Sequence, residues 1–220
     1  MRLQARQKLV MIGDSITDCG RQRPVGEGSS EALGSGYVAL VDGWLRAAYP
    51  DLGIRVVNMG TSGDTVRHLA TRWQTDVLDL HPDWLSVMIG INDVWRQFDH
   101  PLQPESHVLP EEYEQTLRTL LGQVRDRLSG LVLMTPFYLE PNKEDAMRRR
   151  MDEYGRIVKR VADDLNAVFV DTQAAFDTLW AYTYPSSIAL DRVHPDLAGH
   201  TVLARAFLNA VGFDFNRRRQ

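Results

Sequence analysis

Four short polar stretches hold the residue types that acyl transfer to water requires. "IGDSITD" (12–18) places Ser15 just after an apolar run, and "NMGTSGD" (58–64) holds Asn58, Gly60 and Gly63. "GINDVW" (90–95) holds Asn92 and Asp93, and "LDRVHPDLAGH" (190–200) holds Asp191 and His194, three residues apart. A serine hydroxyl is a weak nucleophile until a base takes its proton, and histidine is the usual base near neutral pH. A carboxylate on the far ring nitrogen fixes the tautomer and stabilises the imidazolium. Ser15, His194 and Asp191 supply those three groups. The developing oxyanion needs hydrogen-bond donors. The candidates are the backbone N–H of Ser15, the backbone N–H of Gly63, which no side chain obstructs, and the side-chain amide of Asn92. Pro195 biases His194 toward an extended backbone, away from the helix that follows. Each stretch alone has a plain alternative: Gly-Asp-Ser occurs in ordinary loops, and Asn92 or Asp191 could cap a turn or a helix. All four in this order, beside one sheet, point to nucleophilic catalysis.

The elements that must position these residues alternate along the chain. The runs 8–13, 54–59, 84–90, 131–136 and 167–171 are short, apolar, rich in β-branched residues and bounded by Gly, Pro, Asn or Asp, so they read as buried strands. Helical patterns fall over 37–49, 64–80, 111–128, 145–165, 172–182 and 197–211, with Asp64 as the expected N-cap of the second. This βα alternation predicts an α/β fold: a three-layer α/β/α sandwich around a five-stranded parallel sheet. Sites in such sheets form at the carboxyl ends of strands, near a topological switch point. The first three polar stretches follow strands and so fall on that edge.

The chain has 220 residues, and one domain over 1–220 is expected. Its net charge of −4 argues against nucleic acid or an anionic membrane as the main partner. Cys19 is the sole cysteine, which rules out an intrachain disulfide and fits a reducing compartment. The apolar run "LVMI" near the N-terminus is too short for a signal-peptide core, so a cytoplasmic protein is expected. The histidines show no metal spacing, and no metal or other cofactor is expected. The glycines at 26, 28, 34 and 36 spell neither a dinucleotide fingerprint nor a Walker loop.

At these residues the chain resembles the SGNH subgroup of the GDSL esterases and lipases. The family's four blocks match "IGDSITDCG", "NMGTSGDT", "GIND" and "DRVHP". The resemblance implies a flavodoxin-like SGNH hydrolase fold, a triad of Ser15, His194 and Asp191, and an oxyanion hole of Ser15, Gly63 and Asn92. Ile16 stands at the family's usual leucine position. Asp64, directly after the donor glycine, is a carboxylate that must point away into its helix cap. The broader α/β-hydrolase spelling G-x-S-x-G is absent around Ser15. A closer similarity, to intracellular acetyl-xylan and acetyl-xylooligosaccharide esterases of Gram-positive bacteria, is carried by "GDSITDCGRQRPVGEG", "MIGINDVWRQFD", "MTPFYLEPN", "DTQAAFD" and "DRVHPDLAGH". It implies removal of acetyl groups from short acetylated sugars by a homo-oligomer.

Asp14, Trp95 and Tyr184 are candidate substrate contacts, with Trp180 near the same mouth. Arg96 is expected to pair with Asp99, and Cys19 to serve as a small core residue. His68 and His200 read as packing or surface residues. Two other readings stand beside the esterase. A lysophospholipase or acyl-thioester hydrolase would need a long apolar groove. A flavodoxin-like nucleotide or flavin binder would leave the Ser–His–Asp set without a purpose.

Overall fold

The computed structural model describes residues 1–28 and 30–217. Its five strands are β1 (Lys8–Gly13), β2 (Arg55–Asn58), β3 (Trp84–Met88), β4 (Gly130–Met134) and β5 (Val168–Val170). All pair in parallel, in the order β2-β1-β3-β4-β5. The central strands are almost wholly apolar because both faces are covered. Among the described residues the α-helices are α1 (Ser15–Asp18), α2 (Tyr37–Ala48), α3 (Val66–Trp73), α4 (Ile91–Asp99), α5 (Pro110–Gly122), α6 (Ala146–Asp164), α7 (Thr172–Asp177) and α8 (Leu197–Ala210).

The strand order explains the layers. The chain moves from β1 outward to β2, then reverses across β1 to β3 and on to β5. Right-handed crossovers place connections of opposite direction on opposite faces. Accordingly α2 packs with α8, while α3, α5 and α6 pack in series. The reversal lies between β1 and β3, the crevice where such sheets hold their sites.

The expected strands match to within a residue or two. The third apolar run leaves the sheet early because Gly90 takes φ 130° and turns the chain into α4. The short helices α1 and α4 fall in stretches where the sequence shows no helical pattern. Four and nine residues carry too few apolar repeats to show a period. The second expected helix, 64–80, divides into α3 and a wider π turn at Gln74–Leu78. Its N-cap is Thr65, in a capping box with His68, and not Asp64.

Asn58, at the end of β2, is fully buried. Its amide donates to Thr17 O (2.7 Å) and Leu33 O (2.8 Å), and its Oδ1 accepts from Gly60 N (2.9 Å). One side chain thus joins α1, the loop before α2 and the loop after β2. Asn58→Leu keeps the bulk but strands those backbone groups, so it should lower the free energy of unfolding by about 3 kcal/mol. Urea denaturation measures this; a loss below about 0.5 kcal/mol would show that the network is dispensable.

Candidate active site

β1 delivers the serine. It ends at Gly13, where a Cβ would lie 2.3 Å from Met88 O, so β1 and β3 approach closely at the crevice. Asp14 then takes an extended backbone, and its Oδ1 accepts from Ile16 N (3.0 Å), capping α1. Ser15 is the first residue of that helix, and its side chain faces the loop before α8.

That loop presents the base. Ser15 Oγ lies 2.8 Å from His194 Nε2, and His194 Nδ1 lies 2.6 Å from Asp191 Oδ2. Asp191 Oδ1 also accepts from Val193 N (2.9 Å) and His194 N (2.8 Å), so the loop closes around its own carboxylate. Buried Val193 anchors the loop, and Asp196 caps α8 directly after Pro195. Burial pushes the Asp191 carboxyl up, but the hydrogen bonds from the His194 ring and the two backbone N–H groups outweigh it and hold it below the ordinary range. An ionised carboxylate only accepts, so Nδ1 carries the proton and Nε2 offers its lone pair to the Ser15 hydroxyl.

The expected oxyanion donors lie on the loop after β2 and at the start of α4. Gly63 sits at φ 84° in the loop after β2, a conformation that favours glycine. Just before it, the N–H and the hydroxyl of Ser62 both donate to Asp18 Oδ2, each at 3.0 Å. Buried Asn92, in the first turn of α4, donates through Nδ2 to Asp64 O (2.9 Å) and accepts at Oδ1 from Arg96 Nη2 (3.2 Å). An amide nitrogen has two hydrogens, so a second N–H is left for a further acceptor.

Other expectations divide. Trp95 stands beside the base, its ring centroid 5.9 Å from that of His194. Tyr184 projects into solvent before the Asp191 loop, and Trp180 donates to Asp177 (3.2 Å). Asp14 is only 1% exposed and occupied as a helix cap, so it has no face for a substrate. Asp64 does not cap a helix. Its carboxylate takes Arg72 Nε (2.6 Å), and the same guanidinium reaches Met59 O, Asp76 and Gly13 O. Arg96 does pair with Asp99. Sequence reading missed Asp18 and Arg72 as supports. Asp18 stands three residues after Ser15 in the same block, which was the available signal; Arg72 had none, because its partners come together only in three dimensions.

Residues 11–202 match the GDSL-like lipase/acylhydrolase family, and the chain belongs to that family. It is 58% identical over 219 residues, the full length of both proteins, to an acetylxylan esterase of Geobacillus stearothermophilus. A crystal structure of Axe2, an acetylxylan esterase of the same organism, superposes with a TM-score of 0.98 at 58% identity over all of both chains. Variants of Axe2 described as catalytic mutants carry S15A, H194A and D191A. LAE5, an α/β hydrolase from the metagenome of Lake Arreo in Spain, matches with a TM-score of 0.95 at 54% identity, over 96% of this chain and 98% of its own.

The buried cap next to the serine is electrostatically costly. Burial first, then the neighbouring carboxylates Asp93 and Asp64, raise Asp14 to about 7 against the opposing bond from Ile16 N. A carboxyl raised in the folded state leaves stability intact below its unfolded value of 3.8 and removes it as pH climbs from there to about 7. Asp14→Asn keeps an acceptor for Ile16 N but cannot ionise. Relative to the parent it should gain stability between pH 4 and 7, by about 4 kcal/mol at most, and level off above. Urea denaturation at pH 4, 6 and 8 tests this; a difference that does not change with pH would place the Asp14 titration in its ordinary range.

Proposed function

We propose that this protein is a serine carbohydrate esterase that removes acetyl groups from short acetylated xylo-oligosaccharides. The observation that carries the reading is the unbroken Ser15–His194–Asp191 chain, with contacts of 2.8 and 2.6 Å. Full-length identity of 58% to an acetylxylan esterase supports the substrate class. So does the setting: the His194 side chain is 47% exposed, at a rim open to a hydrophilic oligosaccharide.

The arrangement suits a two-step transfer. Ser15 Oγ attacks the acetyl carbonyl carbon while His194 Nε2 takes its proton and Asp191 stabilises the imidazolium. The oxyanion is held by the N–H groups of Ser15 and Gly63 and by the free N–H of Asn92. The carbon–oxygen bond to the sugar then breaks, and His194 returns the proton to the sugar oxygen. Water attacks the acetyl-serine by the same route and releases acetate. The Trp95 ring beside His194 supports a role for it in meeting the departing sugar ring. The resemblance and the lone Cys19 support a cytoplasmic homo-oligomer, whose size light scattering on the purified protein measures.

Acetate release from acetylated xylobiose should be rapid with the parent and fall to background with Ser15→Ala, whose circular dichroism should be unchanged. Hydrolysis at the parental rate by that variant would remove Ser15 from the mechanism. Asp191→Asn should lower kcat by about 10⁴ by stabilising the wrong tautomer. Acetyl esters should be cleaved faster than octanoyl esters; the reverse preference would favour a lysophospholipase or thioesterase.

A further inference from the structure

Asn92 poses a problem that its position alone does not solve. The two ends of a side-chain amide have almost the same shape, yet only the nitrogen end can donate to an oxyanion. If the amide turned over, it would present an oxygen lone pair to a developing negative charge. Something must hold it the right way round.

Two contacts do so, one at each end. The Asp64 carbonyl only accepts, so it requires Nδ2, at 2.9 Å. The Arg96 guanidinium only donates, so it requires Oδ1, at 3.2 Å. Arg96 lies one helical turn after Asn92 on α4, the spacing at which side chains meet along a helix face. The guanidinium is itself fixed. Its Nη1 pairs with Asp99, three residues on, and its plane carbon sits 5.0 Å from the Trp95 ring centroid. The same Trp95 ring stands against His194. A positive charge on the oxygen end of the amide also draws electron density from the nitrogen end, strengthening the remaining N–H as a donor.

We propose that Arg96 is a positioning residue for the reaction: it sets and polarises the Asn92 amide so that the free N–H faces the oxyanion. This rests on the reading of Asn92 as an oxyanion donor. Arg96 would then act on the transition state through Asn92 and not by holding the sugar. Lysine is a poor substitute, because one ammonium lacks the planar fork that serves Asp99 and Asn92 together.

A double-mutant cycle on the full-length enzyme separates these roles, using Arg96→Ala, Arg96→Lys, Asn92→Ala and the double Asn92→Ala/Arg96→Ala, with thermal unfolding to confirm folding. Asn92→Ala should lower kcat by about 10²–10³. Arg96→Ala should lower kcat by about tenfold to thirtyfold with KM within about threefold, and Arg96→Lys should recover part of the loss. In the Asn92→Ala background, removing Arg96 should cost no more than about twofold. A full-sized loss in that background, or a raised KM at unchanged kcat, would overturn the proposal and make Arg96 a substrate contact. An Asn92→Ala enzyme with parental kcat would overturn the oxyanion reading itself, and the role of Arg96 with it.

Discussion

The seating of the loop after β2 directly on helix α1 sets the geometry of everything else in the site. A Cβ at Gly60 would fall 2.2 Å from Asp18 N, so backbone touches backbone there. Around that contact Asn58 binds Thr17 O from below, while Arg21 and Arg23 both donate to Gly60 O (2.7 and 2.9 Å). Asp18 reaches across to Ser62. Ser15 starts the helix on one side of the junction, and Gly63 follows Ser62 in the loop on the other. Nucleophile and proposed oxyanion donor therefore belong to one rigid body, which suits a reaction that depends on donors fixed in advance.

The base is joined to the same body from behind. Buried His200 on α8 accepts from Tyr37 N through Nδ1 (3.2 Å), which leaves the proton on Nε2, facing Cys19 Sγ at 3.3 Å. Cys19 is the C-cap of α1, and its thiol leans toward Ser15 O and Ile16 O. Burial lowers His200 to about 4, so it stays neutral and keeps this tautomer near neutral pH. Burial first, and then Asp18 and Asp14, raise the Cys19 thiol to about 11, which makes it a packing group and not a reactive one. The helix that follows His194 is thereby tied to the helix that begins with Ser15.

Charge is managed by separation. Asp14 and Asp93 lie buried beneath the site, and burial, the largest cause for each, raises both to about 7. Asp93 Oδ1 accepts from Val66 N, so this residue of the third block serves the start of α3. Asp64 is neutralised by Arg72. Asp191 alone of these carboxylates stands at the partly open rim below its ordinary range, where a negative charge opposite an imidazolium is useful.

Much of this was legible in residue order. Short apolar runs alternating with amphipathic ones specify a parallel sheet, because only strands covered on both faces can be apolar throughout. Ser15, Gly63, Asn92, Asp191 and His194 were legible because acyl transfer demands those groups and local turns confine them to short blocks. The cap at Thr65, the burial of Asp14, and the supports Asp18, Arg72 and Arg96 were not. Their roles depend on which atoms lie opposite them: for Arg72 and Asp18 those come from loops 13 to 59 residues away, and for Arg96 the local contact with Asn92 gains its role only from where the fold sets that amide. The sequence by itself determined the sheet and the chemical identity of the site. Only tertiary structure decided which polar side chains face a substrate and which hold the others in place, because that choice is made by contacts between loops that pattern and spacing do not encode.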